Sequence, residues 1–354
     1  MNPHRSVKWR RFARSRARAE QKRRDHFKRY LAQKHRGASA PRFRPEKPRR
    51  KRTARTYTLI VPEYLSLLNN FADTNEFLME FRRLLLQRSR IFVDFALTQQ
   101  LTVEAVLVFL AILKEVGGKK TASKVSTTMG SSPLRHTRAA KLLRESGFYE
   151  HVSSDVDLSS PDVTRGTIRP REGTRVSTAL ADTLTEKAAI AIFGDTRKLP
   201  AVYRTLIEVM GNTKQHAGRG KDGERWWAMV HTDPKTRRAE FAFYDAGVGI
   251  IGSFRIRFRA LFELVGAAPT QIEILRDLLR GEFKSRTNLP YRGKGLPALA
   301  KALSRRQIEN LKIISNRVVA DVANDKVTEL SADFPGTLVY WELGKKNDNY
   351  SNQR

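Results

Sequence analysis

The chain has 354 residues, with 67 Lys and Arg against 36 Asp and Glu, a net charge of +31 and no cysteine. The missing cysteines exclude disulfide scaffolds, cysteine-ligated zinc, iron–sulfur clusters and thiol nucleophiles. The longest apolar run, Ala105–Leu113, falls well short of the ~20 residues of a membrane-spanning helix, and the basic start (Arg5, Lys8, Arg10, Arg11) has no apolar stretch behind it. No membrane span and no secretory signal are therefore expected, and a cytoplasmic location is.

Residues 1–56 hold 22 of the Lys and Arg but only Glu20, Asp25 and Glu46 as acids. With Pro41, Pro45 and Pro48 and few aliphatics, this stretch cannot bury enough apolar area to offset its ordering entropy, so it is expected to be a disordered basic arm. Such an arm suits nucleic acid or another polyanion, bound through counterion release. Trp9, Phe12, Phe27, Tyr30 and Phe43 are interleaved where they can stack on bases. A merely solubilising tail, an arm docked on an acidic partner and an anionic membrane surface fit the same composition.

The full chain is 40 % apolar, and the part beyond the arm is long enough for about two domains at ~100–200 residues each. Tyr57–Pro62 reads as a strand. Tyr64–Gln87 has helical apolar spacing, with an expected break near Asp73–Asn75. Arg90–Phe95 reads as a strand. Thr102 is placed to cap a helix with a core face of Val103, Val106, Leu107, Leu110 and Leu113, ended by Gly117 and Gly118. Lys124–Met129 suits another strand and Pro133–Tyr149 a helix. Strand and helix in alternation predict an α/β layer with parallel pairing over 57–155. Ser153–Arg175, rich in Ser, Asp, Pro and Thr, reads as a linker centred on 156–175. A helix over Thr178–Phe193 opens a second domain over 176–345, and 346–354 form a tail.

Four short patterns in that second domain carry chemistry. Glu208, Asn212 and His216 are spaced by four, which aligns a carboxylate, an amide and an imidazole along one helix face. A magnesium ion keeps several waters, so one amide oxygen plus phosphates suffices to hold it. Asp245-Ala-Gly247-Val-Gly249 ends an apolar strand that should form a hairpin with Trp226–His231. A carboxylate there can accept from an exocyclic amine, and the glycines let backbone approach a ligand. Gly293-Lys294-Gly295 precedes a short helix from Pro297, offering backbone N–H groups, a positive helix end and a cation to phosphates. Pro335-Gly336-Thr337 opens the strand LVYWEL. GGKKT at 117–121 and GRGKDG at 218–223 do not fit a Walker-type phosphate loop.

Taken in order, these four patterns resemble the GHKL superfamily of ATP-binding domains (gyrase-type, mismatch-repair, chaperone and histidine-kinase), over about 176–345. GKGLPALAKAL is similar to the histidine-kinase form, and Glu-x3-Asn-x3-His to the anti-sigma serine kinases. The resemblance implies a Bergerat α/β sandwich that binds ATP and Mg2+. Glu208 would be the general base or water-positioning carboxylate, Asn212 the magnesium ligand, and His216 a neighbour of the phosphates. Asp245 would take the adenine amine, with Gly247 and Gly249 shaping that wall and Thr337 supporting the adenine. Gly293, Lys294 and Gly295 would embrace the phosphates at the end of an unusually long lid, Ile250–Tyr291, carrying a helix over Thr270–Leu279 and the bases Arg255, Arg257 and Arg259.

The preceding segment, through Arg90-Ile-Phe-Val-Asp-Phe95, the helix after Thr102 and Lys124-Val-Ser-Thr-Thr, resembles a STAS-type domain, whose phosphorylatable hydroxyl would lie near Thr98 or Thr102. A generic α/β packing domain, or a helix-turn-helix using Arg135, Arg138 and Lys141, fits the same residues. The fold class expected is thus α/β and α+β, a STAS-like domain followed by a GHKL sandwich. His136 lacks the acidic neighbour and following Pro of an autokinase phosphoacceptor. The function expected is an ATP-binding regulatory switch with slow hydrolysis in a bacterial regulatory or mobile-element setting. A serine/threonine kinase acting on a STAS-type protein and a nucleic-acid-binding module with a degenerate ATP site are the alternatives. A STAS-type or other regulatory protein is an expected partner, as is a second copy of the chain when ATP is bound.

Overall fold

The computed structural model describes residues 56–121, 125–128, 138–154, 167–216, 225–256, 269–282 and 295–347. The chain divides between Thr53 and Ala54 into two units, and every described residue belongs to the second. The basic arm expected over 1–56 thus lies almost wholly outside the described residues, as do Arg135 and His136.

Three parallel strands, β1 (Thr56–Ile60), β3 (Arg90–Asp94) and β5 (Val125–Thr128), form a small sheet in the order β1-β3-β5. A two-residue pair, β2 (Tyr64–Leu65) with β4 (Gln100–Leu101), lies beside it. Helices α1 (Phe71–Leu86), α2 (Val103–Thr121) and α3 (Arg138–Glu145) complete this part. The parallel α/β layer is as expected, but local expectations differ: Tyr64–Leu65 is a strand and the helix expected from Tyr64 begins at Phe71, and the helix expected to Tyr149 ends at Glu145. Asp73–Asn75 sit in the first turns of α1 rather than at a break, because Thr74 and Asn75 are buried and bonded to neighbouring segments. Helix α2 also runs through Gly117 and Gly118 to Thr121.

The second part is a five-stranded antiparallel sheet in the order β6-β7-β8-β10-β9: β6 (Thr167–Gly173), β7 (Trp226–Asp233), β8 (Arg238–Asp245), β9 (Glu309–Asp321) and β10 (Lys326–Gly344). The hairpin β7–β8 turns at 234–237, as its apolar runs require. Strand β6 corrects the later part of the expected linker; 155–166 lie outside the described residues. Its Pro170 cannot donate to a ladder, and it is tolerated because β6 is an edge strand with a register shift between Ile168 and Arg171.

Helices α4 (Thr178–Phe193), α5 (Pro200–His216), α6 (Gln271–Arg280) and α7 (Gly295–Ser304) cover one face of the sheet. Ser177 caps α4 by accepting from the Leu180 N–H, and Gly194 ends it in the left-handed region. Thr270 and Glu273 form a capping box on α6. The opposite sheet face is not solvated. Trp226, Ala228 and Val230 join the core under α4–α7, whereas Trp227 and Met229 join the core of the N-terminal layer. Helix α2 is buried all round from Val103 to Leu113 because it lies between that sheet face and α1. Cross-strand rings alternate between the faces: Trp226–Phe243 and Phe241–Trp341 on one, Trp227–Tyr244 on the other. Each such pair contributes about 0.2–1 kcal/mol. The protein is a mixed α/β structure in which residues 56–154 cap the sheet of the C-terminal part.

Candidate functional site

Asp245 ends β8, opposite Thr337 of β10 and Trp226 of β7. Strand alternation puts it in phase with Phe241 and Phe243, on the face that α4–α7 cover, and puts Thr337 in phase with Val339 and Trp341 on that same face. The Asp245 residue is only 9 % exposed. Its Oδ1 accepts the Gly247 N–H at 2.9 Å, and the Thr337 hydroxyl donates to its carboxylate. Burial pushes this carboxyl up to about 6, and the two donors pull only part of the way back.

Gly336 makes the arrangement sterically feasible. It sits at φ +92°, and a Cβ there would lie 1.8 Å from the Asp245 carbonyl oxygen. Only glycine fits between the two strands at that point. Gly249 begins a helical segment, 249–256, at φ +78°, packed against Ser315 and Asn316. The first N–H groups of that segment find partners on β9: Ile250 donates to Ser315 Oγ at 2.7 Å and Gly252 to Asn316 Oδ1 at 3.3 Å. Asn316 Nδ2 returns a bond to the Val248 carbonyl at 3.0 Å. Ser315 and Asn316 are site-shaping residues that the sequence does not reveal. Both are residue types that cap helices, but they act from a distant strand rather than from the preceding residue.

Glu208 and Asn212 are half-buried on α5, one turn apart. A Cβ on Gly295, the first residue of α7, would meet the Asn212 side chain at 2.6 Å, so the structure does bring these two predicted residues together. His216 closes α5, but its side chain, like Gly293 and Lys294, lies outside the described residues. Half of the expected lid, 257–268 and 283–291, also lies outside them. Within it, the expected helix stands as α6.

The two hydroxyls expected as phosphoacceptors are occupied. Thr98 is fully buried with its hydroxyl on the Val61 carbonyl, and Thr102 donates to the Leu65 carbonyl at 3.1 Å and bonds Glu104. A cleft of about 610 Å³ opens on the other sheet face; Thr102 lines it, but none of the residues predicted to hold the nucleotide does. It is lined in part by Glu104, His231, Glu240, Tyr340 and Glu342. Its carboxylates serve the protein itself: Glu342 takes Arg238 at 2.6 Å and the Tyr340 hydroxyl at 2.8 Å, and buried Glu104, its pKa raised by desolvation, accepts from Ser66.

Among the described residues no group of three or more His, Asp or Glu side chains is placed to hold a metal ion by itself, and no helix is long and apolar enough to cross a membrane. A metal site resting on Asn212 alone would have to be completed by a ligand's own oxygens. Compared with known proteins, the sequence matches no family model and no curated protein, and no solved structure matches the fold.

Proposed function

We propose that residues 176–345 bind Mg2+–ATP in the manner of GHKL domains, and that the chain is an ATP-binding regulatory protein with slow hydrolysis. The observation that carries this is Asp245: a buried carboxylate at a strand end, held by one backbone N–H and one hydroxyl, on the helix-covered face of the sheet. A buried carboxylate with a raised pKa is costly unless a donor completes it. An exocyclic amine is such a donor, and the charge-assisted bond is worth about 1.5–3 kcal/mol.

The neighbouring residues fit the rest of the group. The Cβ-free contact of Gly295 with Asn212 leaves backbone at the start of α7 close to the amide that would hold magnesium. The N-terminus of α7 favours negative charge. Bound ATP supplies the transferable phosphoryl group, and magnesium would shield its charge. Glu208, one turn before Asn212, is the carboxylate placed to orient a water. The engaged hydroxyls of Thr98 and Thr102 favour hydrolysis over phosphorylation of the chain's own N-terminal layer.

The test is calorimetry with Mg2+–ATP on the wild type, Asp245→Ala and Glu208→Ala, with phosphate release followed in parallel. Binding by the wild type, none by Asp245→Ala, and binding without turnover by Glu208→Ala are expected. A wild type that binds no adenine nucleotide but retains DNA or RNA would sink the proposal and leave a nucleic-acid-binding protein. Phosphate found on an added STAS-type protein rather than in solution would make the chain a kinase. Sedimentation with and without an ATP analogue tests the expected dimer.

A further inference from the structure

Strand β10 leaves its ladder just before it reaches Asp245. Its register with β9 shifts between Glu329 and Phe334 and again between Phe334 and Thr337. A bulge of this kind frees backbone carbonyls from strand pairing and re-aims the chain. Both freed carbonyls are taken by side chains of other elements. The Asp333 carbonyl accepts from Asn75 Nδ2 of α1 at 3.2 Å, and the Pro335 carbonyl accepts from the Tyr244 hydroxyl at 3.0 Å. Between them the Phe334 ring lies against Phe71 of α1 and against Tyr244, with centroids at 6.5 and 5.7 Å. The next residues, Gly336 and Thr337, press on the Asp245 backbone and donate to its carboxylate. One five-residue segment therefore touches α1 at its start and the Asp245 site at its end.

Asn75 is unusual for its place. It is buried within a helix, where asparagine is a poor choice, and its Oδ1 has no hydrogen-bond partner among the described residues. An apolar residue there would remove the unmet Oδ1, and with it the bond to the Asp333 carbonyl. The grip on Asp333 is what the asparagine adds.

We propose that Asp333–Thr337 is a relay that couples occupancy of the Asp245 site to the seating of α1, and so carries the state of the site to the N-terminal layer on the opposite sheet face. The proposal rests on the reading of Asp245 as a nucleotide site. Coupling between two sites is reciprocal, so loosening α1 must change nucleotide affinity by the factor with which nucleotide tightens α1. Asn75 and Phe71 are positioning residues in this scheme.

Hydrogen exchange on the full chain tests it, with Asn75→Leu and, should that variant fold poorly, Phe71→Leu. Without nucleotide, either variant is expected to speed exchange over 244–250, far from the substitution in sequence. With Mg2+–ATP, the wild type is expected to slow exchange over 71–86, and Asn75→Leu to lose that response while binding ATP about fivefold more weakly, the lower end of common coupling strengths. Exchange over 244–250 that is unchanged in both variants overturns the relay. So does a wild type that binds ATP with no response over 71–86, an outcome that leaves the nucleotide reading standing. A wild type that binds no nucleotide overturns that reading and the relay with it.

Discussion

The carboxyl of Asp245 ties stability to function at the scale of one residue. Its pKa rises to about 6 on folding because burial disfavours the anion. Below about pH 4 both folded and unfolded chains carry the proton, and neither is favoured. Between about 4 and 6 only the folded chain holds it, so stability falls as pH rises through that window and stays lower above it. Two units correspond to about 3 kcal/mol at most. Asp245→Asn removes the titration. Its stability relative to wild type should be near zero at pH 4 and grow to about 2–3 kcal/mol in favour of the variant by pH 7, while ATP binding is lost. Urea unfolding of both proteins across pH 4–8 measures the difference. A difference independent of pH would mean that the carboxyl is not desolvated. The residue-level signal was legible because a strand ending in Asp and followed by two spaced glycines is a local pattern. Thr337 was read as opening a strand and, through the resemblance, as supporting the adenine; it lies inside β10, and its bond to Asp245 was not legible because their register spans more than ninety residues of chain.

At the scale of elements, the site depends on how α5 and α7 meet. Gly295 is the contact point, and glycine in a helix is ordinarily a cost of about 1 kcal/mol relative to alanine. A Cβ there meets only the end of the Asn212 side chain, which can swing aside. Gly295→Ala should therefore leave unfolding free energy within about 1 kcal/mol of wild type while moving the Asn212 amide away from magnesium. ATP affinity measured with magnesium should fall about tenfold or more, and the loss should shrink when magnesium is omitted. Equal losses with and without the ion would assign Gly295 to the phosphates rather than to Asn212. The two helices that build this contact were readable from local patterns, α5 from the four-residue spacing of Glu208, Asn212 and His216 and α7 from the glycines and Pro297 at its start. Strand β6 was not readable, because proline and charge in TIRPREG signal a loop unless the segment is known to be an edge. The run of α2 through two glycines was likewise hidden, because its stability comes from burial of the helix body and not from local propensity.

At the scale of the whole molecule, the N-terminal layer and the antiparallel sheet share a core. The sheet of the C-terminal part has apolar residues on both faces, and its second face shares a core with α1, α2 and the parallel strands. Two sequence features carried this information. WWAMV and FAFY lack the polar alternation of a half-exposed antiparallel strand, and Ala105–Leu113 is apolar on every side instead of along one stripe. Each looked like an ordinary core segment because neither names the element it packs against. If the core is shared, the parts should not unfold separately. Leu110, fully buried in α2, is the place to test this. Leu110→Ala should cost about 2–5 kcal/mol. Three of the four tryptophans, Trp226, Trp227 and Trp341, lie in the sheet, so their fluorescence reports the C-terminal part, whereas far-UV circular dichroism reports helices of both. In a cooperative structure the two probes should trace one denaturation curve, and Leu110→Ala should move both midpoints equally. A fluorescence midpoint that stays put while the dichroism midpoint falls would show that the N-terminal layer opens by itself. The sheet would then stand without its cap, and the relay through Asp333–Thr337 would have no rigid element at its far end.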